Sequence, residues 1–105
     1  MSAPMPKEAA EAMVLAAYHM PNETAIKIDV GGWPDGTVQT LFDTILAQLD
    51  QHKLRLRGVR TDTASFAKLS IPQDTPNSGI YKGIPVVMTP AADFDTLEFV
   101  FHPRR

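Results

Sequence analysis

The 105-residue chain has no cysteine. That excludes disulfide frameworks, thiolate zinc sites and cysteine nucleophiles together, and it suits a reducing compartment. Long apolar runs are missing too. No stretch approaches the roughly 18 residues needed to span a bilayer. The most apolar N-terminal segment, Ala9 to Tyr18, carries Glu11 inside it and has only Lys7 as a basic flank, so it does not read as a secretory signal. Neither sign of charge is in large excess, with 10 basic and 12 acidic residues. A formal net charge of -2 exerts no global pull toward nucleic acid or anionic membrane. The sequence shows no internal repeat and no low-complexity tract. These absences point to a single domain spanning 1–105, with the first five residues expected to be mobile and a cytoplasmic location as the default.

What is present fits an ordinary globular core: 44% of residues are hydrophobic and 21% charged. A chain of this length buries roughly two-thirds of its unfolded surface and can fold without metal or disulfides. The nine prolines, about twice the usual share, fall mostly between segments and divide the chain.

Pro6 can open a helix, where its missing N–H is no loss, and Lys7 to Tyr18 is rich in strong helix formers. Ala25 to Val30 alternates, with Ile26, Ile28 and Val30 on one side and Lys27 and Asp29 on the other, the pattern of a strand with one wet face. After the turn-rich Gly31–Gly36 loop, Thr37 stands where an N-cap would. Val38, Leu41, Phe42, Ile45, Leu46 and Leu49 then form one apolar stripe, which predicts a helix from Thr37 to about Lys53. A short strand is expected at Arg57 to Thr61. Asp62 or Thr63 can cap a brief helix to Ser70, with strand as the rival there, and Pro72 to Gly79 has loop chemistry. Ile80 to Met88 reads as a strand interrupted by Gly83 and Pro85, which suggests an edge position. Pro90 to Asp95 is a turn, and Leu97 to Phe101 alternates as a closing strand able to pair with its predecessor. The fold expected is α+β: a mainly antiparallel sheet of about four strands, packed by the central amphipathic helix and an N-terminal helix.

Few residues point to chemistry. Gly31 and Gly36 reproduce half of a phosphate-loop spacing, but Thr37 stands where the lysine is required and Val38 where Ser or Thr is required. A small ligand or anion at the loop 31–37 stays as one reading; a turn that ends a strand and starts a helix is the simpler one. Trp33, the only tryptophan, is either a lid on the core or an exposed interface anchor. Lys53, Arg55, Arg57 and Arg60 form a basic run that could contact phosphates, though no aromatic residue interleaves it to stack bases. His19, His52 and His102 lack metal-ligand spacing, and Ser65, Ser70 and Ser78 lack a nucleophile-elbow context. No catalytic residue, cofactor site or metal site is assigned.

One stretch has a family look. A short strand at Arg57 leads to the Phe66–Leu69 helix and a polar loop. Then come Ile80-Tyr81-Lys82-Gly83-Ile84-Pro85-Val86-Val87, a Pro/Asp turn and Asp95-Thr96-Leu97-Glu98-Phe99. Residues 57–101 resemble a segment found in head- and capsid-associated proteins of tailed phages and prophages. The long spine helix and extended arm of a shell subunit are absent from this sequence. The resemblance therefore implies a small accessory or assembly protein, with the virion as the alternative location, and it carries no catalytic residues. The leading expectation is a noncatalytic structural or protein-interaction domain that binds a partner or itself through Trp33, Tyr81, Lys82, Ile84 and Val86. A nucleic-acid binder using residues 53–60 is the alternative.

Overall fold

The computed structural model describes residues 5–69, 71, 73–75, 77–89 and 92–103. Of the opening pentapeptide only Met5 falls within that set. Ser70, Pro72, Pro76, Pro90 and Ala91, which fall within the helix, loop and turn expected above, lie outside the described residues.

Among the described residues three helices and six strands follow in the order α1 (Pro6–Tyr18), β1 (Thr24–Asp29), α2 (Asp35–Gln48), β2 (Leu54–Thr61), α3 (Thr63–Lys68), β3 (Gln73–Thr75), β4 (Ser78–Tyr81), β5 (Ile84–Met88) and β6 (Thr96–Pro103). The α+β assignment holds. Six strands form one sheet in the order β1-β6-β2-β5-β4-β3, and every neighbouring pair is antiparallel except β2 with β5. None of the described helices is long and apolar enough to cross a membrane.

The helices cover one side of this sheet. α2 buries Val38, Leu41, Phe42 and Ile45, as its stripe requires, and Leu49 follows them into the core. The Phe42 ring stands 5.3 Å from Phe99 and 4.5 Å from Tyr81, joining helix to sheet. α1 starts with Pro6 in its first turn and turns Ala10, Met13, Val14 and Ala17 inward. The shortest dimension of the molecule, 23 Å, fits one helical layer on one sheet.

Several boundaries moved, each for a local reason. α2 begins at Asp35, not at Thr37, because the Pro34 carbonyl accepts from the N–H of both Thr37 and Val38 and serves as the cap. It ends at Gln48: Lys53 takes a left-handed φ of 53° and the Leu54 N–H returns to Leu49 O at 2.9 Å, so the chain reverses straight into β2. β2 therefore starts at Leu54. A bulge between Leu56 and Gly58 shifts its register, so Leu54, Leu56, Val59 and Thr61 all face inward while Arg55, Arg57 and Arg60 face out. α3 is a helix, not the rival strand. Asp62 caps it by accepting from the Ser65 N–H.

The Ile80–Met88 segment is not one interrupted strand. It is a hairpin of β4 and β5 that turns at Lys82 and Gly83, both at positive φ (48° and 87°), the geometry of a tight two-residue turn. Within the segment expected to be loop, Gln73–Thr75 adds a short strand beside β4. β5 is not an edge, since β2 flanks it on one side and β4 on the other. Nor does it pair with β6, because β2 lies between them. Pro85 is tolerated because it precedes the stretch, Val86 to Met88, that pairs with β2. The edges are β1 and β3.

Candidate functional site

Among the described residues the helices all lie on one side, and the other side of the sheet is bare. Strand alternation decides what it displays, and the registers line the outward residues into rows. One row runs Lys27, Glu98, Arg60, Val87, Ser78 across five strands. The next runs Ala25, Val100, Gly58 and then Pro85, Ile80. Gly58 and Pro85 are adjacent: a Cβ built on Gly58 would lie 3.4 Å from the Pro85 carbonyl oxygen. The third brings Arg55 beside His102, with Arg57 and Glu23 close by.

The middle row holds no charge. It is an apolar band across the sheet, shallow at Gly58 where no side chain stands, and it rises at Ile80, which is 54% exposed. Val87, 40% exposed, widens it toward the first row. Charged pairs border the band on both sides. Arg60 meets Glu98 at 2.7 Å, and Lys27 reaches Asp93 at 3.3 Å. On the other side Arg57 meets Glu23 at 3.0 Å, while the His102 ring nitrogen Nδ1 stands 3.9 Å from the same carboxylate. A cleft of about 200 Å³ lies at the first border, between Lys27, Arg60, Thr89, Asp93 and Glu98. A groove of about 220 Å³ lies at the other, between Asn22, Glu23, Arg55 and His102. Phe94, 79% exposed, stands in the turn next to Asp93.

The residues singled out from the sequence fall in different places. Trp33 is half-buried and packs against the core, as the lid reading had it. Tyr81 and Val86 cannot offer their side chains to a partner, because they are 7% and 0% exposed and help form the core. Ile84 is half-buried against the same core. Lys82 is exposed but tied down: its Nζ donates to Asp43 Oδ1 at 2.9 Å, and the Tyr81 hydroxyl donates to the same oxygen at 2.8 Å. Burial and the Asp43 carboxylate together push the Tyr81 phenol up to about 12. These three residues clamp the β4–β5 hairpin to α2.

The basic run is placed on the bare face, but two of its cations are already neutralised, Arg57 by Glu23 and Arg60 by Glu98. Among the described residues only Arg55 and Lys53 of the run make no ion pair. The glycine loop is worse suited to an anion. Asp29 Oδ1 accepts from the Gly31 N–H at 2.8 Å, and a Cβ on Gly31 would come within 3.0 Å of Asp29 Oδ1 and 3.2 Å of Asp95 Oδ2. Asp35 occupies the first turn of α2, so carboxylates already answer the positive pole of that helix.

At the same end, Asp62 ties three elements together. Its Oδ2 accepts from the Asp95 N–H at 3.0 Å while its Oδ1 caps α3. Burial works to raise its carboxyl, but donation from the backbone N–H groups of Asp95 and Ser65 prevails and holds it below the usual carboxylate value. No three metal-ligating side chains gather among the described residues.

Sequence reasoning missed Ile80, Val100 and Phe94 as surface features. The signal for Phe94 was there: an aromatic residue between two aspartates in a turn has no core to enter. No protein-family model matches this chain, and comparisons with curated proteins and with solved structures gave no match.

Proposed function

We propose that this chain is a noncatalytic protein-interaction domain whose bare sheet face docks a partner protein. The partner's chemistry follows from the face: an apolar projection to cover Ile80, Pro85, Val87 and Val100, and a carboxylate to meet Arg55. One observation carries the reading, namely the uncharged band across the sheet with Ile80 54% exposed and ion pairs on both borders. Nucleic-acid binding draws less support. Its cations would have to leave Glu23 and Glu98 before meeting phosphates, and the net charge of -2 opposes the approach. An accessory or assembly role in a phage-type particle, acting in the cytoplasm or the virion, is the specific form of this reading that the resemblance over 57–101 supplies.

The test is a photo-crosslinker placed at Val87 in the native host, with a second at Ala12 on the helical side as control. The reading expects one discrete protein adduct from position 87 and none from position 12. That protein, purified, should bind the domain, and Ile80→Asp should weaken binding by on the order of tenfold or more without lowering the melting temperature. Adducts of equal yield from both positions would overturn it. So would an adduct that proves to be nucleic acid.

A further inference from the structure

We infer that β1 is a self-association edge, pairing antiparallel with β1 of a second copy about a two-fold axis through Ile28. This goes beyond docking on the sheet face: it uses the rim of the sheet, and neither reading depends on the other.

β1 has one neighbour, β6, among the described residues. Its inward groups can be identified. The Val30 N–H donates to Asp95 O at 2.8 Å, in the same register that pairs Ile28 with Leu97 and Ile26 with Phe99. In an antiparallel ladder the groups alternate, so Ile28, Ile26 and Thr24 direct N–H and C=O toward β6. Ala25, Lys27 and Asp29 direct theirs away, toward the free edge. Such a row of unpaired backbone groups is a template for another strand.

Charge selects the occupant and the register. Directly opposed residues share a face, so a two-fold pair places outward residues opposite outward residues. An axis through Lys27 sets lysine against lysine. An axis through Ile26 sets Asp29 against Glu23. An axis through Ile28 sets Lys27 against Asp29 and, by symmetry, Asp29 against Lys27. In that register the same residues exchange their free backbone bonds, and Ile28 meets Ile28 on the helix side, where each is half-buried in the single chain. An axis through Ala25 would set Lys27 against Glu23, but that carboxylate already meets Arg57 at 3.0 Å, whereas Asp29 makes no ion pair among the described residues and gives Lys27 the better-matched register. The two bare faces would join into one continuous surface of twice the width.

Sedimentation of the full chain over a concentration series tests this. Wild type should show a monomer–dimer equilibrium. Ala25→Pro removes an outward N–H without touching the β6 ladder and should abolish dimer while the melting temperature stays close to wild type. Lys27→Asp alone and Asp29→Lys alone should each weaken association by on the order of tenfold, and an equimolar mixture of the two should recover it as a heterodimer. Damage to the fold would not be rescued by mixing. Wild type sedimenting as monomer at every concentration overturns the inference, and so does a mixture that stays monomeric. Dimer lost in Val87→Asp but kept in Ala25→Pro would move self-association to the face. A monomeric wild type leaves the crosslinking result at position 87 untouched, so the two readings fail separately.

Discussion

The two faces of the sheet are built from the same strands, often from consecutive residues, and they differ in almost everything else. On the helical side Leu97, Phe99 and Phe101 are fully buried. One residue along, Glu98, Val100 and His102 look out on solvent from the same strand. β2 makes the same division between Leu54, Leu56 and Val59 on one side and three arginines on the other. The helical side is under heavy constraint, because a methylene removed from a packed core leaves a void. The bare side is nearly free of it, since surface substitutions usually change stability by no more than about 0.5 kcal/mol. That freedom is what lets an apolar band with a charged border exist there.

The comparison can be broken most directly by one matched pair of variants. Phe42→Ala, between Phe99 and Tyr81, should lower the unfolding free energy by about 3–5 kcal/mol in urea denaturation followed by Trp33 fluorescence. Val87→Ala on the bare face should change it by about 0.5 kcal/mol or less. Similar losses at both positions would mean that the bare face is a covered one.

A smaller effect sharpens how the helical layer holds the hairpin. Tyr81→Phe deletes the bond to Asp43 and should cost about 1–2 kcal/mol. The same bond sets a pH dependence. The folded phenol sits at about 12 against an ordinary 10.0, so its stabilising contribution is whole below pH 10.0 and is lost as pH rises through 12. In a Tyr18→Phe background, phenolate absorbance should therefore rise near pH 12 while the fold persists; a rise near 10 would show that the clamp is open. The smallest effect belongs to the outer border. A double-mutant cycle on Arg60 and Glu98 should give a coupling of no more than about 1 kcal/mol, shrinking with added salt, because Arg60 is 56% exposed. A larger coupling would make the border part of the folding core.

Much of the helical side was legible in the residues themselves. The stripe from Val38 to Leu49 named the face of α2 that is buried, and the alternation of Leu97, Phe99 and Phe101 named the face of β6 that meets it. The hairpin turn was less legible, because Lys82 and Lys53 occupy left-handed positions that glycine usually marks. Tyr81 and Val86 were read as partner contacts because the strand carrying them was taken for an edge, and Gly83 and Pro85 fitted that reading. The bulge at Gly58 also hid the start of β2: it breaks strict alternation, and the strand was expected only from Arg57.

By itself the sequence determined the three helices, the strands at β1 and β6 and the two-sidedness of each, since a helical stripe and a strand alternation depend only on residues a few positions apart. The tertiary structure decided which strand lies beside which. β2 inserts between β5 and β6, which puts β5 inside the sheet and leaves β1 as an edge. Alternation tells which side chains share a face, but it carries no information about what covers that face or what pairs with the strand alongside. Those depend on contacts between segments tens of residues apart, and only the folded chain brings them together.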